Sequence, residues 1–158
     1  LDMISTILSD GKSSRLYKKM VDEKKISLQV QAVNLGLEDY GGYVILSLPL
    51  GENSLDDLLV NIEEEVVKLQ NELISDREYS KLQNIFENNF VSSNASMAGV
   101  ANSLARYYML YGNTNLINDQ IDIYKSITKE EIRDVARKYL KKNQRAIIDY
   151  LPKKDEGQ

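Results

Sequence analysis

Between Leu16 and Ala32 the spacing of apolar residues changes from three and four to two, and this switch constrains the fold more than any other stretch of the chain. Asp10-Gly11 is a breaker, and Ser13 or Ser14 is placed to cap a helix over 14–24 whose apolar face is Leu16, Met20 and Val21. After Lys24-Lys25, Leu28, Val30 and Ala32 alternate with Ser27, Gln29 and Gln31, which predicts a half-buried strand over 27–34. Gly36, Asp39, Gly41 and Gly42 then form a loop that returns the chain into 43–48, so the two strands read as an antiparallel hairpin ended by Pro49 and Gly51.

The remainder is dominated by helical spacing. Residues 1–9 read as the end of a helix with Leu1, Ile4, Ile7 and Leu8 on one side. Ser54 opens a helix through Leu55, Leu58, Leu59, Ile62, Val66, Leu69 and Leu73. Ser75 with Glu78 makes a capping box for a helix through Leu82, Ile85, Phe86 and Phe90, and 91–94 reads as a break. A helix carrying Met97, Val100, Ala101, Leu104, Ala105, Tyr108 and Tyr111 on one side ends at Gly112-Asn113. A short helix near 115–124 precedes a second capping box, Thr128 with Glu131, and a last helix with Ile132, Val135, Ala136, Tyr139 and Leu140. Arg145 to Leu151 reads as a closing strand stopped by Pro152. The expected class is α+β, an antiparallel sheet with helices packed on one face. Three strands are few for so many helices, and the apolar pattern is already under way at Leu1. The expectation is therefore a single partial domain over 1–152 with its first strands missing, followed by a disordered tail over 153–158, all part of a longer protein.

Composition removes several function classes. A net charge of -4 with basic and acidic residues interspersed gives no basic surface for nucleic acid. No apolar run approaches the roughly 20 residues that cross a bilayer, and no signal-peptide pattern opens the chain, so this stretch reads as soluble. Its compartment is left open, with the bacterial periplasm following only if the parent carries a signal peptide. There is no cysteine and no histidine, which removes disulfides, thiolate sites, the commonest general base and the commonest zinc ligand.

The remaining candidates are weak. Gly11-Lys12-Ser13 has the ending of a phosphate-binding loop, but Thr6 stands where its first glycine belongs, and a helix-capping turn is expected instead. Glu63-Glu64-Glu65, with Asp56 and Asp57 nearby, carries the oxygen ligands of a hard-cation site, yet consecutive helical carboxylates point apart and read as a solvated face. Tyr107, Tyr108 and Tyr111 combine apolar area with hydroxyls suited to a peptide-binding wall, although Tyr108 and Tyr111 follow the apolar stripe and are expected to pack. Asn94-Ala95-Ser96 is a glycosylation sequon too short to carry weight, and no serine has a base to make it a nucleophile. No catalytic or metal-binding residue is assigned, and substrate-binding residues are left unknown.

Several blocks in order carry a resemblance: Gly11 to Tyr17 with the following helix and strand, Gly51 to Asp57, Leu73 to Glu78, Leu104 to Gly112 and, most specifically, Ile127 to Leu140. Together they resemble the insulinase, pitrilysin and mitochondrial-processing-peptidase family of zinc metalloproteases, and in particular its non-catalytic, C-terminal type of domain. The resemblance implies zinc on another domain of the parent protein, bound by an inverted H-x-x-E-H motif that is missing here. It implies as partners a homologous zinc-bearing domain or subunit and a peptide substrate, with this chain closing the substrate chamber. Family members that assist catalysis place an Arg, and seven residues later a Tyr, on the helix-to-strand unit. The matching positions are Val21 and Leu28, which cannot donate a hydrogen bond, so no catalytic role is carried over. A catalytically inert scaffold of the same fold is the alternative, with a coincidental, stand-alone α+β binding domain behind it.

Overall fold

The helix-to-strand unit forms where the apolar period changes, with an irregularity in each half. A computed structural model describes residues 1–37 and 39–151. Helix α1 (Asp2–Ser9) buries Met3, Ile4, Ile7 and Leu8 and stops at Asp10, where Gly11 takes a positive φ of 74° that suits a residue without a side chain. The segment expected as an α-helix over 14–24 is a π-helix over Tyr17–Glu23. The Lys24 N–H reaches back five residues to the Lys19 carbonyl at 2.9 Å, and the Ile26 N–H reaches the Met20 carbonyl at 2.9 Å. The wider turn brings Leu16 over Met20 and Val21 together: Leu16 and Met20 are fully buried, and Val21 packs at the margin of the core. Lys25 then turns the chain in the left-handed region at φ 52°, a conformation that costs a side-chain-bearing residue about 1 kcal/mol.

Strands β1 (Ser27–Gly36) and β2 (Gly41–Pro49) pair antiparallel, Val30 opposite Ser47 and Ala32 opposite Ile45. The register shifts between Ser27 and Gln29, so Leu28 is an extra, bulged residue. The expected alternation put Leu28 on the face of Val30 and Ala32. The bulge reverses that: Leu28 is 60% exposed, and Ser27 is buried in its place. The Ser27 hydroxyl holds the bulge, within 2.9 Å of the carbonyls of Gln29 and Leu48 and of the Ser47 hydroxyl. The inner face, with Val30 and Ala32, packs against α1, and the outer face leaves Leu35, Leu46 and Leu48 exposed. Helices therefore cover one face of the sheet.

The remaining helices follow their caps. Ser54 caps α2 (Leu55–Asn71), and the Ser75–Glu78 and Thr128–Glu131 boxes open α3 (Asp76–Ser93) and α6 (Lys129–Tyr139). Between these two lie α4 (Met97–Tyr111), closed by Gly112 at φ 64°, and α5 (Leu116–Ser126). The core joins Leu8, Leu16, Met20, Leu69, Leu82 and Ala136 across α1, the π-helix, α2, α3 and α6.

Four expectations are corrected here. The break placed at 91–94 comes only at Asn94, and α3 runs on through Ser93. The α4 stripe does not pack: α4 buries no residue, and Tyr108 and Tyr111 are exposed, because α4 lies against α5 at the edge of the assembly rather than over the sheet. Asn61 and Glu65 take inward positions on α2 beside Leu58 and Leu69, so its buried stripe is part polar. Residues 145–151 form no strand: among the described residues β1 pairs only with β2, and Ile148 and Tyr150 stand exposed with no neighbouring strand to bond. Pro152 and the expected tail at 153–158 lie outside the described residues.

Candidate functional site

The π-helix, the left-handed Lys25 and the bulge at Leu28 fall within a dozen consecutive residues, which concentrates backbone irregularity in 17–28. Irregularities of this kind re-aim side chains. Here they send Val21 inward, against the core, and Leu28 outward beside the open sheet face. The two are not aimed at a common point, and neither has a polar atom to offer a ligand. The outer face carries Gln29, Gln31, Val33 and Leu35 from β1 and Val44, Leu46 and Leu48 from β2, with no charged residue among them. It is a neutral, largely apolar wall flanked by the bulged Leu28.

The acidic run is not a free solvated face. Lys19 bridges Glu64 at 2.5 Å and Glu65 at 3.0 Å, and Lys68 meets Glu65 at 2.8 Å. Glu63 turns the other way, to Lys142 at 3.2 Å and to Arg145. Glu65 is buried at 5% exposure. Burial pushes its carboxyl up, but hydrogen bonds from Lys68 and Lys19 outweigh that and hold it below the usual range. Lys19 is pushed down by burial and pulled further up by Glu64 and Glu65, for a net rise. The cleft between the π-helix and α2, about 500 Å³, is lined by Arg15, Lys18, Lys19, Lys24 and Lys68 together with Glu23, Glu65 and Glu72, so its own carboxylates offset only part of its positive charge. The sequence carried a signal for Glu65: at four residues before Leu69 and seven after Leu58, it falls on the inward stripe of α2.

The other sequence candidates close on themselves. Ser14 donates its hydroxyl to the Gly11 carbonyl at 2.7 Å, Lys81 caps Ser13 at 2.7 Å, and a helix rather than a strand precedes the turn, so Gly11-Lys12-Ser13 is not a phosphate loop. Neither serine caps the following helix with its side chain. Tyr107 is the packed member of its group, donating to Gln120 at 2.9 Å and lying 6.5 Å from the Tyr111 ring. The Asn94 amide donates to the Phe90 carbonyl at 3.0 Å, which ties it into the α3 terminus.

Zinc does not fit these residues. The chain has neither histidine nor cysteine, and among the described residues no group of Asp and Glu converges as a metal site. The three consecutive glutamates face lysines and an arginine instead. Nor, among the described residues, is any helix long and apolar enough to cross a membrane.

Comparison with known proteins follows the same lines. Residues 1–86 match the family described as the peptidase M16 inactive domain. The chain is 25% identical over 152 residues to the zinc protease PqqE of Helicobacter pylori, covering 96% of this chain and 34% of that protein. It thus spans about a third of the length of this curated relative. Its fold is similar to a protease from Helicobacter pylori, with a TM-score of 0.82 and 24% identity over 90% of this chain and 34% of that one. It is also similar to an inactive peptidase domain from Bordetella parapertussis, with a TM-score of 0.79 and 20% identity over 98% of this chain and 84% of that one.

Proposed function

This chain belongs to the peptidase M16 inactive-domain family, and from that premise we propose that it forms the non-catalytic wall of a zinc peptidase's substrate chamber. Zinc and the water-activating base sit on another domain of the same protein or on a partner subunit. The outer sheet face, with Leu35, Leu46, Leu48 and the bulged Leu28, lies toward an extended peptide substrate. The observation that carries this reading is the family match in a chain with no histidine and no cysteine. A neutral apolar face suits such a role, because it contacts a peptide through side-chain area without selecting for charge.

A second reading, an inert scaffold of the same fold, is favoured by Val21 and Leu28. Neither can donate a hydrogen bond to a carbonyl or a developing oxyanion. The two readings separate in the assembled protein, this chain together with its zinc-bearing domain. A photo-crosslinking residue placed at Leu46 labels a bound peptide substrate under the chamber reading, whereas the same residue at Glu130 on the helical side does not. Equal or absent labelling at both positions, with hydrolysis intact, contradicts the chamber reading. A coding sequence without H-x-x-E-H, there and in any adjacent homologous gene, supports the scaffold.

A further inference from the structure

A cavity of about 260 Å³ lies between the last turn of α1 and strand β1, lined by Ser5, Thr6, Ser9, Asp10, Gln31 and Ala32. Its floor is fixed by hydrogen bonds. The Ala32 N–H donates to the Ser9 hydroxyl at 2.7 Å, and that hydroxyl lies 3.4 Å from the Ser5 and Ala32 carbonyls, so α1 is pinned to β1 at this point. Thr6 is nine-tenths buried, yet its hydroxyl makes no hydrogen bond among the described residues, which leaves it open to the cavity. Asp10 is the one charged residue in the lining. The last turn of α1 carries no basic residue to meet the negative end of the helix dipole, and Lys12, two residues past Asp10, does not line the cavity.

We propose that this cavity binds a cationic nitrogen group, an alkylammonium or a guanidinium. Such a group carries only donors, and the cavity offers it acceptors in the Asp10 carboxylate, the Gln31 carboxamide oxygen and the Thr6 hydroxyl. An anion would meet Asp10 and the negative end of α1 with no basic residue to pair with. A bare divalent cation lacks ligands, because Asp10 is a single carboxylate and no other Asp or Glu lines the cavity. The volume falls below the roughly 300–1,000 Å³ of small-molecule sites, which fits a group the size of one side chain. Gln31 also belongs to the outer sheet face, so the cavity adjoins the surface on which a peptide is proposed to lie. The group has two sources, a lysine or arginine of that peptide and a free amine; the first rests on the chamber reading, and the second does not.

Amide NMR of the assembled protein, with only this chain isotopically labelled, tests the proposal without relying on hydrolysis. N-acetyl-lysine methylamide should shift the Thr6, Asp10, Gln31 and Ala32 amides, and its uncharged norleucine counterpart should bind about 10-fold more weakly or less. Asp10→Asn, at an exposed residue whose side chain holds no hydrogen bond among the described residues, should remove that difference. Thr6→Val should weaken the lysine derivative by about threefold. n-Butylammonium chloride separates the sources: weaker binding than the lysine derivative assigns the group to a peptide side chain, and equal binding assigns it to a free amine. Equal shifts with the norleucine derivative, an unchanged affinity in the Asp10→Asn variant, or calcium chloride shifting the same amides in place of the lysine derivative overturns the proposal. Failed crosslinking at Leu46 with lysine binding retained contradicts the chamber reading alone.

Discussion

Arg15 and Glu78, 63 residues apart, meet in a two-pronged ion pair, with Nε to Oε1 at 2.7 Å and Nη2 to Oε2 at 3.0 Å, and the same carboxylate closes the capping box of α3. One side chain thus fixes the start of α3 and ties it to the entry of the π-helix. The Arg15 hydrogen bond holds the Glu78 carboxyl down at about 2, against the opposing effect of burial and with help from Ser75. Its folded value lies below its unfolded one, so its contribution is complete above the unfolded value and fades as pH falls from about 4.5 toward 2. Glu78→Gln should lower stability by about 1–2 kcal/mol at pH 7. Urea unfolding should show the gap between the two proteins shrinking at pH 2.

Lys19 and Lys68 close on the buried Glu65 between the π-helix and α2, Lys19 nearly buried and Lys68 half exposed. Removing one member strands another in a poorly hydrated site, whereas removing a pair together does not. Lys19→Met and Glu65→Leu should each cost about 2–4 kcal/mol, and the double variant should cost clearly less than their sum. Additive losses in chemical denaturation would mean that the cluster is not coupled.

Burial holds the Tyr43 phenol at about 12, with Ser5 opposing the rise and Asp2 adding to it. Tyr124 is likewise pushed up to about 12 by burial, aided by Asp2. Both folded values lie above the ordinary phenol value of about 10. Their contribution is therefore intact below pH 10 and lost as pH rises toward 12. The protein should lose stability steeply between those values, and Tyr43→Phe should flatten that slope while costing about 1 kcal/mol at pH 7 through the lost Ser5 bond. Tyrosinate absorbance followed together with circular dichroism measures both effects.

At Val21 and Leu28, the positions that the sequence resemblance sets against an Arg and a Tyr, the geometry makes unequal demands. Leu28→Tyr should change stability by no more than about 0.5 kcal/mol, because the bulge leaves that side chain in solvent. Val21→Arg should cost about 1–3 kcal/mol, because Val21 packs on the core. Thermal melts of the two single variants give the comparison. Equal losses would place Leu28 inside after all.

What was legible in the sequence was local. The caps at Ser54, Ser75 and Thr128, the Gly112 stop and the hairpin all follow from short-range spacing and side-chain chemistry, and each is present. Ser27 was misread because its hydroxyl stabilises a bulge that a two-residue period does not encode. Tyr108 and Tyr111 lie on a regular stripe, but whether a stripe packs depends on what faces it, and among the described residues the main neighbour of α4 is α5. Residues 145–151 have strand composition but, among the described residues, no strand to pair with, and pairing is a property of the partner. The burial of Glu65 was hidden by its neighbours Glu63 and Glu64, since a run of like charges reads as solvated until Lys19 and Lys68 are brought to it by the fold.

In the proposed role, this chain contributes shape and contacts to a zinc peptidase but no chemistry. Metal content and peptide hydrolysis are measured together, on the purified 158-residue chain alone and after mixing with the H-x-x-E-H-bearing domain proposed as its partner. The chain alone should hold no stoichiometric zinc and hydrolyse no peptide, and hydrolysis should appear on mixing and exceed that of the zinc-bearing domain by itself. Stoichiometric zinc in the isolated chain, or hydrolysis by it that survives further purification, would contradict the claim.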